Sequence, residues 1–223
     1  MLQFNQFNLS LIRHGQSEAN ANPDKMGQLA TEPLTAKGRQ QAALLGKHFK
    51  KNRTHFDYVF ASPYTRAHDT ALISLDNDPR IILVDSLREY SAGDWTGESR
   101  STTISNDVKL RMSNMEHAFL PPNGESMAQV ERRASIWLED NILYNKNIIE
   151  LVYKRSMNAE SNINIGIFSH GMTIKCILHY IMGFDRNITW KVNIDNTSVS
   201  RVSFSKYGWY VNCINDCSHL GAE

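Results

Sequence analysis

Apolar residues gather in six short runs along the chain: Leu9–Ile12, Tyr58–Ala61, Ile81–Val84, Ile163–Phe168, Val199–Phe204 and Trp209–Ile214. Each has the length of a strand, and the last two flank Lys206-Tyr207-Gly208 as the arms of a hairpin would. Between most of them the pattern becomes helical. A helix is predicted from the N-cap Thr35, with Ala42, Leu45 and Phe49 on one face. A second follows Gly124 and keeps Val130, Ala134, Trp137, Leu138 and Ile142 in register. A third starts near Thr173, aligns Ile174, Ile177, Leu178 and Ile181, and ends at Gly183, a residue suited to the left-handed turn after a helix. Strands alternating with helices predict an α/β fold with a largely parallel sheet covered by helices. The polar stretch Arg155–Asn162 reads as a surface loop.

At 223 residues the chain can build one α/β domain or two small ones, and no compositional break divides it. Lys and Arg number 24 against 23 Asp and Glu, so no broad field points to nucleic acid or a membrane as partner. Basic side chains must therefore be read locally. Cys176, Cys213 and Cys217 form no CxxC pair, which argues against a disulfide frame or a cysteine zinc site and for a reducing compartment. Met1–Asn8 has no basic residue or long apolar run, and no stretch is long enough to cross a bilayer. The expectation is a soluble, cytoplasmic protein.

Three apolar runs end in chemistry. Ile12 leads into Arg13-His14-Gly15, Ala61 into Ser62-Pro63-Tyr64-Thr65-Arg66, and Phe168 into Ser169-His170-Gly171. Each has an ordinary reading: a hydrogen-bonded histidine, an Arg66–Asp69 ion pair at i+3, a turn before a helix. Carboxyl ends of parallel strands converge on a ligand crevice, however, and structure alone does not require cationic groups at three of them. A metal held by the two histidines with Glu89 or Asp94 would leave Arg13 and Arg66 facing a dication, which electrostatics penalises. A serine nucleophile elbow at Ser169 would need a small residue where Ile167 stands. Phosphate suits the set best, because arginine forks match its oxygens and amides near Gly171, at a helix start, add donors. A neutral imidazole is also a capable nucleophile. Glu89, in a segment followed by the glycine-spaced loop Gly93–Gly97, is the favoured general acid, with Asp94 as alternative and an Arg88–Glu89 surface pair as the ordinary reading.

Arg13-His14-Gly15 followed by Asn20, then "PLTAKGRQQA", "ASPYTRAHDTA", "LREYSAGDWTG", "PPNGES" and "FSHG", resemble in order and spacing the histidine phosphatase superfamily, also called phosphoglycerate-mutase-like, from about Leu9 to Phe204. The resemblance implies a three-layer α/β sandwich with a mostly parallel central sheet and helices on both faces, formed by residues 1–223 as a single domain. It also implies no metal, no cofactor and a phosphohistidine intermediate. His14 resembles the nucleophile, Arg13, Arg66 and His170 the phosphate pocket, and Glu89 the proton donor; Asn20, Gly171 and Gln28 are further pocket candidates. The phosphatase branch is favoured by "LREYSAGDWTG". The chain departs from the pattern at Ala30-Thr31-Glu32, where many members carry an aspartate before Pro-Leu-Thr, which leaves substrate contacts near Gly27 and Gln28 open.

The expected partner is a small phosphorylated substrate, and a homodimer is compatible with the sequence. A phosphomutase would use the same residues, and a non-catalytic phosphate-binding scaffold would not need both His14 and Glu89. The segment 99–122 is a candidate substrate cover. Within it Val108, Met112, Met115 and Phe119 share a helical face expected to pack, while Lys109, Arg111 and His117 lie off that stripe and are expected to be solvated.

Overall fold

The computed structural model describes residues 5–22, 24–27, 29–158, 162–183 and 191–221. The six apolar runs form six strands: β1 (Asn5–Arg13), β2 (Tyr58–Ala61), β3 (Ile81–Leu83), β4 (Ile163–Ser169), β5 (Val199–Ser205) and β6 (Gly208–Asp216). They make one sheet in the order β3-β2-β4-β1-β5-β6. The first four run parallel, β5 is antiparallel to β1, and β6 is antiparallel to β5.

Alternation along the strands sends apolar side chains to both faces. Leu9, Leu11, Ile163, Ile165 and Ile167 meet α6 (Met127–Leu138) and α8 (Gly171–Met182) through Ala134, Leu138, Ile174 and Ile177. On the other face Ile12, Val59 and Phe168 meet Leu45 and Phe49 of α2 (Ala36–Lys51) and Ala71 of α3 (Thr65–Ser74). The result is the expected three-layer sandwich. Thr35 caps α2 by accepting from the Gly38 N–H, a contact that contributes about 1 kcal/mol. Gly183 closes α8 in the left-handed region, at φ 60°.

Three expectations are corrected. The α-helix of α6 stops at Leu138, and a π-turn, Glu139–Leu143, carries Ile142 into the core. The third helix starts at Gly171, two residues earlier than read. Arg155–Met157, expected as loop, are the last turn of α7 (Lys146–Met157), whose apolar face is short and broken by polar residues. Its Arg155 pairs with Asp57, and residues 159–161 of the expected loop lie outside the described residues.

The parallel order β2-β4-β1 aligns the strand ends that carry the candidate chemistry. Arg13 pairs in register with Ser169 and Ala61 with Phe168, so His14, Ser62 and His170 leave the sheet side by side. Segment 99–122 contributes α4 (Arg100–Thr103) and α5 (Asn106–Met115), short helices placed between α3 and α6 in the chain.

Candidate active site

The turn after β1 is held by close backbone approach. A Cβ on Gly15 would lie 2.5 Å from the Gly38 carbonyl, and one on Gly38 only 2.0 Å from the Gln16 carbonyl. The Arg13-His14-Gly15 turn therefore seats directly on the start of α2. The Gly15 N–H donates to Thr70 Oγ1 of α3 at 3.0 Å, and Thr70 in turn donates to the Arg66 carbonyl at 2.6 Å.

His14 is wholly buried, and its Nδ1 lies 2.6 Å from the Gly15 carbonyl. That carbonyl can only accept, so the hydrogen belongs on Nδ1 and the lone pair on Nε2. Arg66 Nε donates to this Nε2 at 3.3 Å, consistent with the same tautomer. Burial, then the Arg66 and Arg13 guanidiniums, hold the imidazole well below its ordinary pKa, against the pull of the Gly15 carbonyl. His14 is thus neutral at neutral pH, with a nucleophilic nitrogen aimed at a cation.

Around it the site is crowded with positive potential. His170, whose ring centre is 5.1 Å from that of His14, is also fully buried and held well below its ordinary pKa by burial, then by Arg66, His14, Arg13 and Arg133. Its Nε2 meets Ser62 Oγ at 2.8 Å. Arg66 donates from Nη1 to the Leu29 carbonyl at 2.9 Å and lies 5.1 Å from the Tyr64 ring centre; burial lowers its pKa to about 10, still charged at neutral pH. Arg13 donates to the Ile194 carbonyl at 2.6 Å and passes 3.4 Å from where a Cβ on Gly171 would stand. Among the described residues Arg13 Nε, Arg66 Nη2 and His170 Nδ1 are buried with no hydrogen-bond partner. A tetrahedral oxyanion supplies acceptors to such a set, and bare backbone or apolar packing does not.

Glu89 occupies the start of α8. Its carboxylate accepts from the N–H groups of Met172 and Thr173, at 3.3 and 3.2 Å, and from the Tyr90 N–H at 2.9 Å. These helix-start amides, expected to face phosphate, are therefore engaged by Glu89. The segment carrying Glu89 is braced from behind by Arg133, which grips Glu125 through Nε and Nη2 at 2.9 and 3.0 Å and donates to the Ser86 and Glu89 carbonyls. Asn20 accepts from Asn196 at 3.1 Å, and Asn196 also donates to the His14 carbonyl at 3.0 Å. Gln28 lies outside the described residues.

Competing readings fail on geometry. Ser169 is buried and donates to the Leu87 carbonyl at 2.8 Å, so it is no exposed elbow nucleophile. Asp94 is held by Asn123, Asp69 pairs with Arg39, not Arg66, and Arg88 pairs with Asp85, not Glu89. Ser62, Tyr64, Thr70, Arg133 and Asn196 were missed. Ser62 and Tyr64 stand in a strand-end motif beside Arg66 and were legible as its neighbours; nothing local marks Asn196 or Arg133.

A cavity of about 580 Å³ opens beside this cluster, with Asn20 and Glu89 on its wall. Met26, Met112, Met127 and Met172 line it, as do Trp95 and Phe119, whose rings stack 5.8 Å apart; Lys25 and Arg100 add positive charge. Met112 and Phe119 of the expected packing stripe thus face the cavity, while Met115 is exposed. Lys109 and Arg111 are solvated as expected, but His117 is only 3% exposed and meets Glu131 at 3.0 Å.

A model of the histidine phosphatase superfamily (branch 1) matches residues 9–217. The chain belongs to this family. It is 31% identical over 199 residues, 87% of this chain and 88% of the other, to a Hydrogenobacter thermophilus protein provisionally named phosphoserine phosphatase 2. It is 26% identical over 205 residues, 86% of this chain and 96% of the other, to a 2,3-bisphosphoglycerate-dependent phosphoglycerate mutase of Bartonella bacilliformis. Among solved structures, the α-ribazole phosphatase of Shigella flexneri superimposes with a TM-score of 0.72 at 25% identity, covering 97% of this chain and 100% of the other. The phosphoserine phosphatase of Entamoeba histolytica, in complex with 3-phosphoglyceric acid, shares the fold with a TM-score of 0.76 at 24% identity, covering 96% and 99%. The family holds phosphatases and mutases that act on phosphoesters. Among the described residues no helix is long and apolar enough to cross a membrane.

Proposed function

We propose that this histidine phosphatase is a metal-independent phosphomonoesterase acting on a small phosphorylated metabolite. The observation that carries this reading is the neutral, buried His14 whose Nε2 faces Arg66 and lies beside His170. His14 Nε2 attacks phosphorus, a P–N bond forms, the P–O ester bond breaks, and Glu89 gives its proton to the departing alkoxide. Water then attacks the phosphohistidine and returns a proton to Glu89 as inorganic phosphate leaves. Charge spreads over the equatorial oxygens in the loose transition state, so Arg13, Arg66 and His170 act through electrostatic stabilisation more than through binding.

In this reading residues 1–223 act as one domain, and segment 99–122 covers the organic part of the substrate. The methionine-rich wall accommodates an apolar body, and Lys25 and Arg100 receive a second polar or anionic group.

The test is phosphate release from an aryl phosphate and from a panel of metabolite phosphomonoesters in excess chelator, at saturating substrate, for wild type and His14→Ala. Turnover that resists chelator and vanishes in the variant is expected. An isomeric phosphoester as product would make the protein a mutase, and turnover abolished by chelator in both wild type and Glu131→Gln would require metal catalysis.

A further inference from the structure

Away from the phosphate pocket, three side chains from separate elements converge. His117 stands on the 3₁₀ turn Glu116–Ala118 that follows α5, Glu131 on α6 and His179 on α8. One donor atom of each lies within 4.8 Å of the other two. His117 and His179 are both largely buried, with side chains 3% and 11% exposed.

A plain hydrogen-bonded array accounts for half of this. His117 Nε2 meets Glu131 Oε2 at 3.0 Å with hydrogen-bond geometry. His179 Nδ1 approaches the same oxygen to 2.6 Å, yet among the described residues neither ring nitrogen of His179 makes a hydrogen bond. The oxygen is close but off the axis along which the ring nitrogen would donate. Nδ1 thus has no aligned partner, and with the ring hydrogen on Nε2 its lone pair can be offered to an ion. Ligands about 2.0–2.1 Å from a tetrahedral ion stand about 3.3 Å apart, so the 2.6 and 3.0 Å separations here would open by less than about 1 Å to admit one. Two imidazoles and one carboxylate are a zinc donor set, with water completing a tetrahedron.

We propose that His117, Glu131 and His179 form a structural site for zinc or a similar divalent transition metal that pins the end of segment 99–122 to α6 and α8. Glu116, next to His117, and Phe119, two residues on, both line the substrate cavity. The ion therefore fixes a cavity wall and takes no part in phosphoryl transfer. The site does not depend on the proposed activity.

The experiment is titration of chelator-treated, full-length protein with Co²⁺, read by visible absorption, followed by displacement with Zn²⁺. One equivalent with a tetrahedral spectrum is expected, together with slower amide exchange at Glu116–Ala118. Glu131→Gln and His179→Gln should each weaken Zn²⁺ binding by about 100-fold or more. A His48→Gln/His219→Gln variant, removing a histidine pair outside both sites whose rings lie 5.8 Å apart, should bind as wild type. If the first two variants fail to fold, the wild-type spectrum and the control still decide. No tetrahedral spectrum, binding lost only in the control, or unchanged exchange at the turn overturns the proposal.

Discussion

Arg66→Met separates what this guanidinium does for catalysis from what it does for the fold. Arg66 is fully buried, its side chain reaches the Leu29 carbonyl and His14, and among the described residues no carboxylate forms a salt bridge with it. Lowering its pKa from 12.5 to about 10 corresponds to about 3 kcal/mol, at 1.36 kcal/mol per pKa unit. Both folded and unfolded states carry the charge at pH 7, so the whole penalty is present there and is relieved only as pH rises through the folded pKa. Methionine keeps much of the buried stem and forfeits hydrogen bonds contributing about 1–2 kcal/mol. The variant should therefore lose no stability, and gain up to about 2 kcal/mol, in urea unfolding at pH 7 in phosphate-free buffer. Its turnover should fall about 10²–10³-fold, the usual consequence of removing one donor to developing charge. Orthovanadate at about 100 times its dissociation constant should stabilise wild type by about 2.7 kcal/mol and the variant far less. A stability loss above about 2 kcal/mol would refute the reasoning, since it would make Arg66 an ordinary structural partner.

Glu89→Gln should slow hydrolysis of alkyl phosphates far more than that of aryl phosphates, whose leaving groups need no proton; equal losses in steady-state kinetics would reduce Glu89 to a positioning residue. His14 and His170 have folded pKa values well below the unfolded value of about 6.5, so below that pH the unfolded chain binds more protons and stability falls as pH falls. Each contributes up to about 1.4 kcal/mol per pH unit, and His14→Gln should remove one share of the slope between pH 6 and 5 in denaturant unfolding; parallel slopes would contradict the assignment. Gly38→Ala, whose Cβ would meet the Gln16 carbonyl at 2.0 Å, should cost about 1–3 kcal/mol and reduce turnover by displacing the His14 turn, both checked on the same preparation.

The sheet was legible because strand periodicity and burial coincide: all six apolar runs became strands, and the three strand ends bearing cations are neighbours in the parallel part of the sheet. Arg13, His14, Arg66 and His170 were legible for the same reason, since topology alone brings parallel strand ends together. The supporting residues were not. Arg133 reaches Glu89's segment across 44 positions, and Asn196 reaches the His14 carbonyl across 182. Such contacts are long-range packing outcomes with no local period or spacing to announce them. His117 was misread because a helical stripe says which face is apolar, and not that the following 3₁₀ turn rotates a polar side chain inward against α6.

The most direct test of His14 as the nucleophile is rapid acid and alkaline quenching of the protein turning over a radiolabelled phosphomonoester, followed by peptide mapping. Phosphate that survives alkali, is lost in acid and maps to His14 is the expected result. An acid-stable phosphoester on Ser17 or Ser62, or full turnover by His14→Ala, would contradict it.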